Sequence, residues 1–360
     1  MDKIFLGLVI TLCSIGAFMF VSASLGLLVK NETIFYGVLR SQLFLGLGVG
    51  LLAMYITSRI PYKFWRKYSM YFFIGSILLT LAVFIPHLGF SHGGARRWIS
   101  LGFVSFQPVE LLKIAFIIYF ASWLSWTKNK ISDIKWSVLP MVVMISLIAF
   151  VLIKQPDHKS LILIVMTALS MLFISGIKWK YILGMGAILC ATLLILAFFT
   201  PYLKDRVKTF VDPSRDPHGA SWQLDQSLIA IGSGGVLGRG FGQSVQKFNY
   251  LPEPQGDSIF AVVGEEFGFV GSTILILLFV AFAMRGLKIA GRAPDSFGRL
   301  LVAGIVILLT AQSFLNIASI TGLFPLTGVP LVFISHGGTS LLFSMAAIGI
   351  VLNVSKFQKT

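Results

Sequence analysis

The sequence predicts an all-α, polytopic integral membrane protein with ten transmembrane helices and a long structured extracellular loop between spans 7 and 8. Two observations predict this class. Of the 360 residues, 56% are hydrophobic and only 12% are charged, whereas ordinary soluble domains carry roughly 25% charged residues. Long segments also lack any Asp, Glu, Lys or Arg, and in a bilayer such segments satisfy their backbone hydrogen bonds as helices.

The composition also excludes other classes of protein. A soluble enzyme would need far more polar surface than this chain has. Although the formal net charge is +15, the cations are spread thinly along the chain, so we expect no nucleic-acid partner. Cys13 and Cys190 each lie in an apolar run, and we expect them to be small core residues rather than a disulfide.

The candidate spans are apolar runs long enough to cross a bilayer, which requires about 20 residues. The first run, Ile4–Val29, is longer than the core of a signal peptide and is therefore predicted to be a span. Residues 300 to 355 contain no Asp, Glu, Lys or Arg, and the segment Gly322–Gly338 divides them into spans 9 and 10. The other spans are predicted at Ser41–Ser58, Tyr68–Leu88, Phe106–Trp126, Trp136–Ile153, Ser160–Ile177, Tyr181–Leu203 and Phe267–Met284.

The distribution of cations predicts the orientation of these spans. An even number of spans places both termini on one side, and lysines and arginines concentrate in cytoplasmic loops. With the N-terminus inside, the inner loops hold most of the cations, including Lys63, Arg66 and Lys67 between spans 2 and 3. Both termini are therefore predicted to be cytoplasmic.

One connection is too long for the short-loop pattern of the rest. Residues 200–266 are moderately polar and contain five prolines, and a long structured loop in a compact protein is usually functional. We therefore interpret residues 1–360 as a single membrane domain and expect the chemistry in this extracytoplasmic loop.

The fourth span begins with an acid and a base. Glu110 and Lys113 are three residues apart on a predicted helix, so they can pair and reduce each other's desolvation cost. Two roles remain open for them: an internal ion pair that holds the bundle together, and direct contact with a substrate.

Two adjacent arginines precede this span. Arg96 and Arg97 stand beside Trp98, and guanidinium groups bind phosphate oxygens bidentately. A phosphate or diphosphate headgroup is therefore one expected ligand. The alternative is anchoring to anionic lipid at the membrane surface, with Trp98 at the interface.

The end of the long loop presents a third candidate, Asp257, at the mouth of span 8. Two prolines stiffen the approach and Gly256 allows a tight turn. A carboxylate in a partly dry vestibule is suited to act as a general base, although it could equally cap the following helix. We expect Glu265 and Glu266 to pair with loop cations or to orient the loop.

Two further patterns do not indicate a cofactor. The glycine-rich segment Gly232–Gly242 follows no predicted strand, so it is not a dinucleotide-binding motif. The five histidines show no ligand spacing, and we predict no dedicated metal site.

Taken in order, the motifs resemble the FtsW/RodA (SEDS: shape, elongation, division, sporulation) family over essentially the whole chain. The matching segments are Ala95–Ile99, Phe106–Pro108 with Glu110 and Lys113, Gln155–Asp157, Gln223 with Gln226–Gly235, Gln246–Phe248, Leu251–Glu253, Asp257, Ile259–Ala261, Gly264–Glu266, and Ile334–Ser335 with Gly337–Gly338. Two of them, Gln246–Phe248 and Leu251–Pro254, look more like the FtsW branch. The chain departs from the family pattern at Val109, His158–Lys159, Gln255–Gly256, Ser258 and His336.

The resemblance implies a peptidoglycan glycosyltransferase that polymerises lipid II outside the bacterial cytoplasmic membrane, in cell division or elongation. The implied partners are a class B penicillin-binding protein transpeptidase and other division or elongation membrane proteins. Asp257 corresponds to the family's proposed catalytic residue. The residues expected to bind substrate are Arg96, Arg97, Lys113, Gln226, Lys247 and Glu253. Those expected to have a supporting role are Glu110, Asp157, Glu265, Glu266, Ser335, Gly337 and Gly338.

In the expected reaction Asp257 acts as general base, and undecaprenyl diphosphate is displaced with inversion to form a β-1,4 bond. Inverting glycosidases need a second carboxyl as acid, but a diphosphate already leaves well, so one carboxylate suffices. We expect no tightly bound cofactor, and a divalent cation (Mg²⁺ or Mn²⁺) carried by the substrate's diphosphate is left open. The alternatives are a lipid II flippase and a non-catalytic scaffold that activates a partner transpeptidase.

Overall fold

The computed structural model describes residues 1–92, 95–100, 105–131, 133–187, 201–212 and 220–358. Its fold is predominantly α-helical, as predicted. The helices are α1 (Lys3–Lys30), α2 (Glu32–Arg59, including the π-helical stretch Ser41–Val49), α3 (Tyr62–Lys67), α4 (Ser69–Leu81), α5 (Pro108–Trp126), α6 (Ile134–Lys154), α7 (His158–Ser175), α8 (Pro201–Val211), α9 (Ala220–Ser233), α10 (Ile259–Gly291), α11 (Ser296–Ile320) and α12 (Gly338–Val354).

Eight of the described helices are long and apolar enough to cross a membrane, namely α1, α2, α5, α6, α7, α10, α11 and α12. They correspond to predicted spans 1, 2, 4, 5, 6, 8, 9 and 10, so the prediction of a multi-pass membrane protein is confirmed. The third predicted span forms the shorter apolar helix Ser69–Phe84. The seventh, Tyr181–Leu203, falls largely outside the described residues, and the total of ten stays a prediction.

The eighth span begins earlier than the sequence indicated. Helix α10 starts at Ile259 rather than at Phe267, and it bends at Gly268, where φ is 64°. The charges of Glu265 and Glu266 suggested that this stretch belongs to the loop, but both side chains are buried inside the fold. The long loop therefore ends at Ser258, and the two glutamates belong to the helix.

The connection before α5 contains strands that the sequence did not predict. Three strands, β1 (Gly89–His92), β2 (Ala95–Ser100) and β3 (Ser105–Phe106), form an antiparallel sheet in that order. Phe90 pairs with Trp98 across β1 and β2. This small sheet does not change the fold class, but it places Phe90 and Trp98 beside the cavity described below.

Helix α11 forms the centre of the bundle. It is buried over most of its length and packs against α5, α7, α10 and α12. Because it is so enclosed, its polar side chains need partners inside the protein. Gln312 and Asn316, near its C-terminal end, find theirs at the site.

Candidate active site

A cavity of about 430 Å³ lies at one end of the bundle. Four helices begin at its wall, since residues at or next to the N-termini of α5, α7, α10 and α12 line it. The N-terminal end of a helix carries partial positive charge and unpaired N–H groups. A cavity surrounded by four such ends favours an anionic ligand.

Asp257 lies in this cavity just before α10, where it is partly exposed. The residue that precedes the helix is Ser258, so the alternative prediction, that Asp257 caps α10, is wrong. The carboxylate is instead part of the cavity wall, where a bound hydroxyl group could reach it.

The backbone before α10 is fixed by three consecutive hydrogen bonds. The carbonyls of Gln255, Gly256 and Asp257 accept hydrogen bonds from the backbone N–H of His336 (2.7 Å), the hydroxyl of Ser335 (2.7 Å) and the side-chain amide of Asn316 (2.8 Å), respectively. Asn316 also donates to the carbonyl of Val329, at 2.7 Å. Three donors from α11 and the segment after it therefore hold Asp257 in place.

The predicted pair of Glu110 and Lys113 is confirmed and forms another part of the wall. The ammonium Nζ of Lys113 lies 2.9 Å from Oε1 of Glu110 and donates to Oε1 of Gln312 at 3.1 Å. The hydroxyl of Ser340 donates to the other oxygen of Glu110, at 3.0 Å. The pair is buried within the bundle and also borders the cavity, so the internal ion pair is confirmed and contact with a substrate stays a prediction.

Glu265 and Glu266 anchor the glycine-rich part of the loop, and their predicted pairing with loop cations is confirmed. Glu265 accepts hydrogen bonds from the hydroxyl of Ser244 (2.6 Å) and the backbone N–H of Val245 (2.9 Å), and Arg239 lies 3.5 Å away. Oε1 of Glu266 lies 2.8 Å from Nζ of Lys247. The loop is thus tied to α10 through buried carboxylates.

The structure contradicts the prediction that Lys247 binds substrate. Its side chain is completely buried, and its ammonium donates to Glu266, to the hydroxyl of Ser22 and to the carbonyl of Gly242. An ammonium has three N–H donors, and these three acceptors use all of them. Lys247 therefore stabilises the loop.

The two arginines of the small sheet, Arg96 and Arg97, were expected to bind substrate, but they do not line the cavity. Both are among the described residues, and both lie outside the cavity lining. Arg97 donates to the carbonyls of Gln155 and Pro156, so it fastens the sheet to the turn before α7, whereas Arg96 is exposed on β2. A substrate contact for Arg96 stays a prediction.

The remaining predicted residues divide between the cavity and its supports. Glu253, Gly337 and Gly338 line the cavity. Asp157 caps α7 by accepting from the backbone N–H and hydroxyl of Ser160. Gln226 is buried in α9 and lies outside the cavity lining, so its substrate contact also stays a prediction.

The sequence did not single out several residues that the fold brings to the site. Gln312 and Asn316 looked like ordinary polar residues in an apolar helix, although buried amides in a span are a usable signal for function. Lys159, the second residue of α7, also lines the cavity. His336 lines it as well, and burial, which disfavours the charged imidazolium, lowers its pKa below the ordinary value.

Fold and site together define a multi-pass helical membrane protein with a carboxylate-bearing cavity suited to anions. The family model described as "Cell cycle protein" (FtsW, RodA, SpoVE) matches residues 2–360. The chain belongs to this family, which confirms the resemblance seen in the sequence.

Curated relatives and solved structures agree with this assignment. The chain is 38% identical to the probable peptidoglycan glycosyltransferase FtsW of Geobacter sulfurreducens, over 98% of this chain and 95% of that protein. It is 36% identical to the stage V sporulation protein E of Bacillus subtilis, over 99% and 98%. A chain in a solved structure described as "Structural coordination of polymerization and crosslinking by a peptidoglycan synthase complex" has a TM-score of 0.82 at 26% identity, with 99% and 97% covered.

The fold is also that of the rod shape determining protein RodA from Thermus thermophilus. That structure has a TM-score of 0.73 at 23% identity, with 100% of this chain and 98% of the other covered. The agreement over nearly full length shows that the bundle of this chain is the bundle of its family.

Proposed function

We propose that this chain is a peptidoglycan glycosyltransferase that polymerises lipid II into β-1,4 glycan strands, with Asp257 as general base. The observation that carries the proposal is the position of Asp257 in an anion-favouring cavity that Lys113 also lines. The relatives named as glycosyltransferases support the reaction class.

The proposed step is a displacement at C1 of the donor MurNAc. Asp257 removes the proton from the 4-hydroxyl of the acceptor GlcNAc while that oxygen attacks C1. The new O–C1 bond forms as the bond from C1 to the diphosphate oxygen breaks, and undecaprenyl diphosphate leaves with the bonding electrons. Negative charge therefore develops on the leaving oxygen, where fixed positive groups stabilise the transition state most effectively.

The groups around the cavity suit this charge distribution. The four helix N-termini and Lys113 supply positive potential, and the hydrogen bonds to residues 255–257 hold the base without constraining its carboxylate. Preorganised positioning of this kind removes a large part of an entropic barrier. Glu253 also lines the wall, and we propose that its carboxylate contacts sugar hydroxyls of the substrate.

A divalent cation, Mg²⁺ or Mn²⁺, belongs to the proposal only as part of the substrate. Among the described residues, no group of three or more His, Cys, Asp or Glu side chains is placed to hold a metal ion. The carboxylates of Glu253 and Asp257 are oxygen ligands of the kind that Mg²⁺ prefers. They fit an ion brought in by a diphosphate, and such an ion would neutralise part of the leaving group's charge.

The proposed partner is a class B penicillin-binding protein transpeptidase, alongside other division or elongation membrane proteins. The neighbouring solved structure is described as a complex that coordinates polymerization and crosslinking, which supports a crosslinking partner for this chain. We place the protein in the bacterial cytoplasmic membrane with both termini in the cytoplasm. The cavity then opens on the outer side, because α5, α7, α10 and α12 all run inward from it.

The purified chain, with and without a candidate transpeptidase, should be incubated with labelled lipid II and the products separated by size. We expect glycan chains longer than the disaccharide unit. If lipid II crosses vesicle membranes in a parallel translocation assay while no glycan forms, the chain is a flippase instead. If the transpeptidase is activated without polymerisation, the chain is a scaffold.

A further inference from the structure

Lys159 is a cation in the cavity wall whose role the proposed function has not used. Its ammonium donates a hydrogen bond to the carbonyl of Gly328, in the segment between α11 and α12. The side chain is only half-buried. Because an ammonium has three N–H donors, the bond to Gly328 uses one of them and leaves the group able to bind a ligand from the cavity.

Distances from Gly328 show that Lys159 lies near the proposed base, Asp257. A Cβ atom placed on this glycine would lie 3.1 Å from Oδ2 of Asp257, and 3.9 Å both from Nζ of Lys159 and from Nη2 of Arg206. The carboxylate and the ammonium therefore border the same small space. Within the described residues Lys159 and Asp257 form no direct ion pair, so the ammonium borders the same space as the carboxylate without contacting it.

The fold itself gains little from a positive charge at this position. Lys159 is in the first turn of α7, where the positive end of the helix dipole opposes a cation. The adjacent carboxylate of Asp157 is buried and engaged with Ser160. A neutral side chain would suit the helix better, so the helix does not account for the charge, which borders the space beside Asp257 that an anionic ligand can enter.

We propose that Lys159 binds the diphosphate of the donor substrate on its leaving-group side. This assignment rests on the proposed function. The attacking hydroxyl contacts Asp257 and lies about 3 Å from C1 in a reactive arrangement, and the leaving diphosphate is attached directly to C1. The acceptor's own diphosphate is separated from its attacking hydroxyl by two sugar rings. A cation that borders the same space as Asp257 therefore meets the donor's diphosphate.

In this position beside the donor's diphosphate, Lys159 has a different role from Lys113. The charge of Lys113 is balanced by Glu110 at 2.9 Å, whereas that of Lys159 is balanced when the diphosphate is present. As the bond from C1 breaks, the leaving oxygen gains charge beside the ammonium, and no proton needs to be transferred to it. Lys159 is thus a binding residue for the donor and for the released undecaprenyl diphosphate.

The test compares three single variants of the full chain, Lys159→Gln, Lys159→Arg and Lys154→Gln. Gln keeps a donor for the Gly328 carbonyl but removes the charge, and Arg keeps the charge. Lys154 is an exposed lysine at the end of α6, so its replacement is a matched control for net charge. Equilibrium binding of undecaprenyl diphosphate is measured in detergent, with undecaprenyl monophosphate and phosphatidylglycerol as competitors, and the thermal unfolding midpoint is recorded for each sample.

We expect Lys159→Gln to weaken undecaprenyl diphosphate binding by about tenfold or more, as loss of a charged hydrogen bond does, with its unfolding midpoint unchanged. Lys159→Arg and Lys154→Gln should bind as the unaltered chain does, and phosphatidylglycerol should compete poorly. Equal binding by Lys159→Gln, or competition by phosphatidylglycerol as strong as by the diphosphate, would overturn the assignment. Because binding is measured without turnover, failure of the unaltered chain to polymerise lipid II would count against the proposed function separately.

Discussion

Two buried pairs of glutamate and lysine occur in the described part of the chain, and they have different surroundings. Glu110 and Lys113 lie 2.9 Å apart and Glu266 and Lys247 lie 2.8 Å apart, so their contacts are nearly the same. The side chains of the first pair are 10% and 4% exposed, and they border the cavity. Those of the second pair are 0% exposed and are enclosed between α1, α10 and the loop.

A buried ion pair by itself therefore does not identify a substrate-binding site. Both pairs compensate the large cost of removing charges from water. Only the first leaves its ammonium beside space that a substrate can enter, with Asp257 in the same wall. We therefore propose substrate contact for the first pair and loop stability for the second, and the following substitutions test that division.

The largest effect on stability is expected from Lys247→Met. It leaves Glu266 buried without its cation, and breaking such a pair costs about 3–5 kcal/mol. We expect the thermal unfolding midpoint in detergent to fall sharply. The double variant Lys247→Met with Glu266→Gln removes both charges and should recover part of the loss. A single variant as stable as the unaltered chain would show that the loop does not depend on this pair.

Lys113→Met should affect activity more than stability. Ser340 remains to hydrogen-bond Glu110, whereas Oε1 of Gln312 loses its donor. Because the cavity gives the Glu110 carboxylate access to water, we expect a stability loss of about 1–3 kcal/mol. Polymerisation per folded molecule should fall by about 10²-fold, the usual cost of removing one electrostatic stabiliser. Full activity in a folded Lys113→Met protein would contradict the contact with substrate.

Asn316→Ala tests how Asp257 is positioned rather than the proton transfer to its carboxylate. The substitution leaves the carbonyls of Asp257 and Val329 without their donor, which should cost about 1–3 kcal/mol. Because Asp257 is then less well placed, we expect the maximal polymerisation rate to fall while the affinity for lipid II changes little. Thr321→Ala, near the end of the same helix, provides a control that should keep the maximal rate.

The smallest effect is expected from Arg97→Gln. Arg97 holds the small sheet to the turn before α7 through two carbonyls, and it is partly exposed, so we expect a loss of about 1 kcal/mol. Initial rates with saturating lipid II should remain close to those of the unaltered chain. A large loss of activity at full stability would instead support the substrate contact that the sequence predicts for Arg97.

The sequence was sufficient where the determining interactions are local. Apolar runs predicted most of the spans, and the three-residue spacing of Glu110 and Lys113 predicted their pairing because one helical turn brings them together. The sequence was insufficient where partners are distant. Lys247 contacts Ser22, 225 positions away in the chain, and no local pattern shows that its ammonium is already fully bonded.

The same reasoning explains why several site residues were missed. Asn316 lies near Asp257 because α11 packs against α10. Lys159 lies near Asp257 because the start of α7 contacts the segment after α11. The early start of α10 was missed because Glu265 and Glu266 looked like loop charges, although each of them contacts a cation and a backbone N–H of the loop in the fold. In each case tertiary contacts override a local pattern.

The role of Asp257 as general base is tested by comparing Asp257→Asn with Glu265→Gln. Each substitution neutralises one carboxylate, and the two residues lie in neighbouring parts of the chain. Each protein is assayed for polymerisation of labelled lipid II with its transpeptidase partner, and the thermal unfolding midpoint is taken on the same sample. We predict that Asp257→Asn keeps its midpoint and forms no glycan, whereas Glu265→Gln loses stability but keeps its rate per folded molecule. Glycan formation by Asp257→Asn at the rate of the unaltered chain would contradict the assignment of Asp257 as the base.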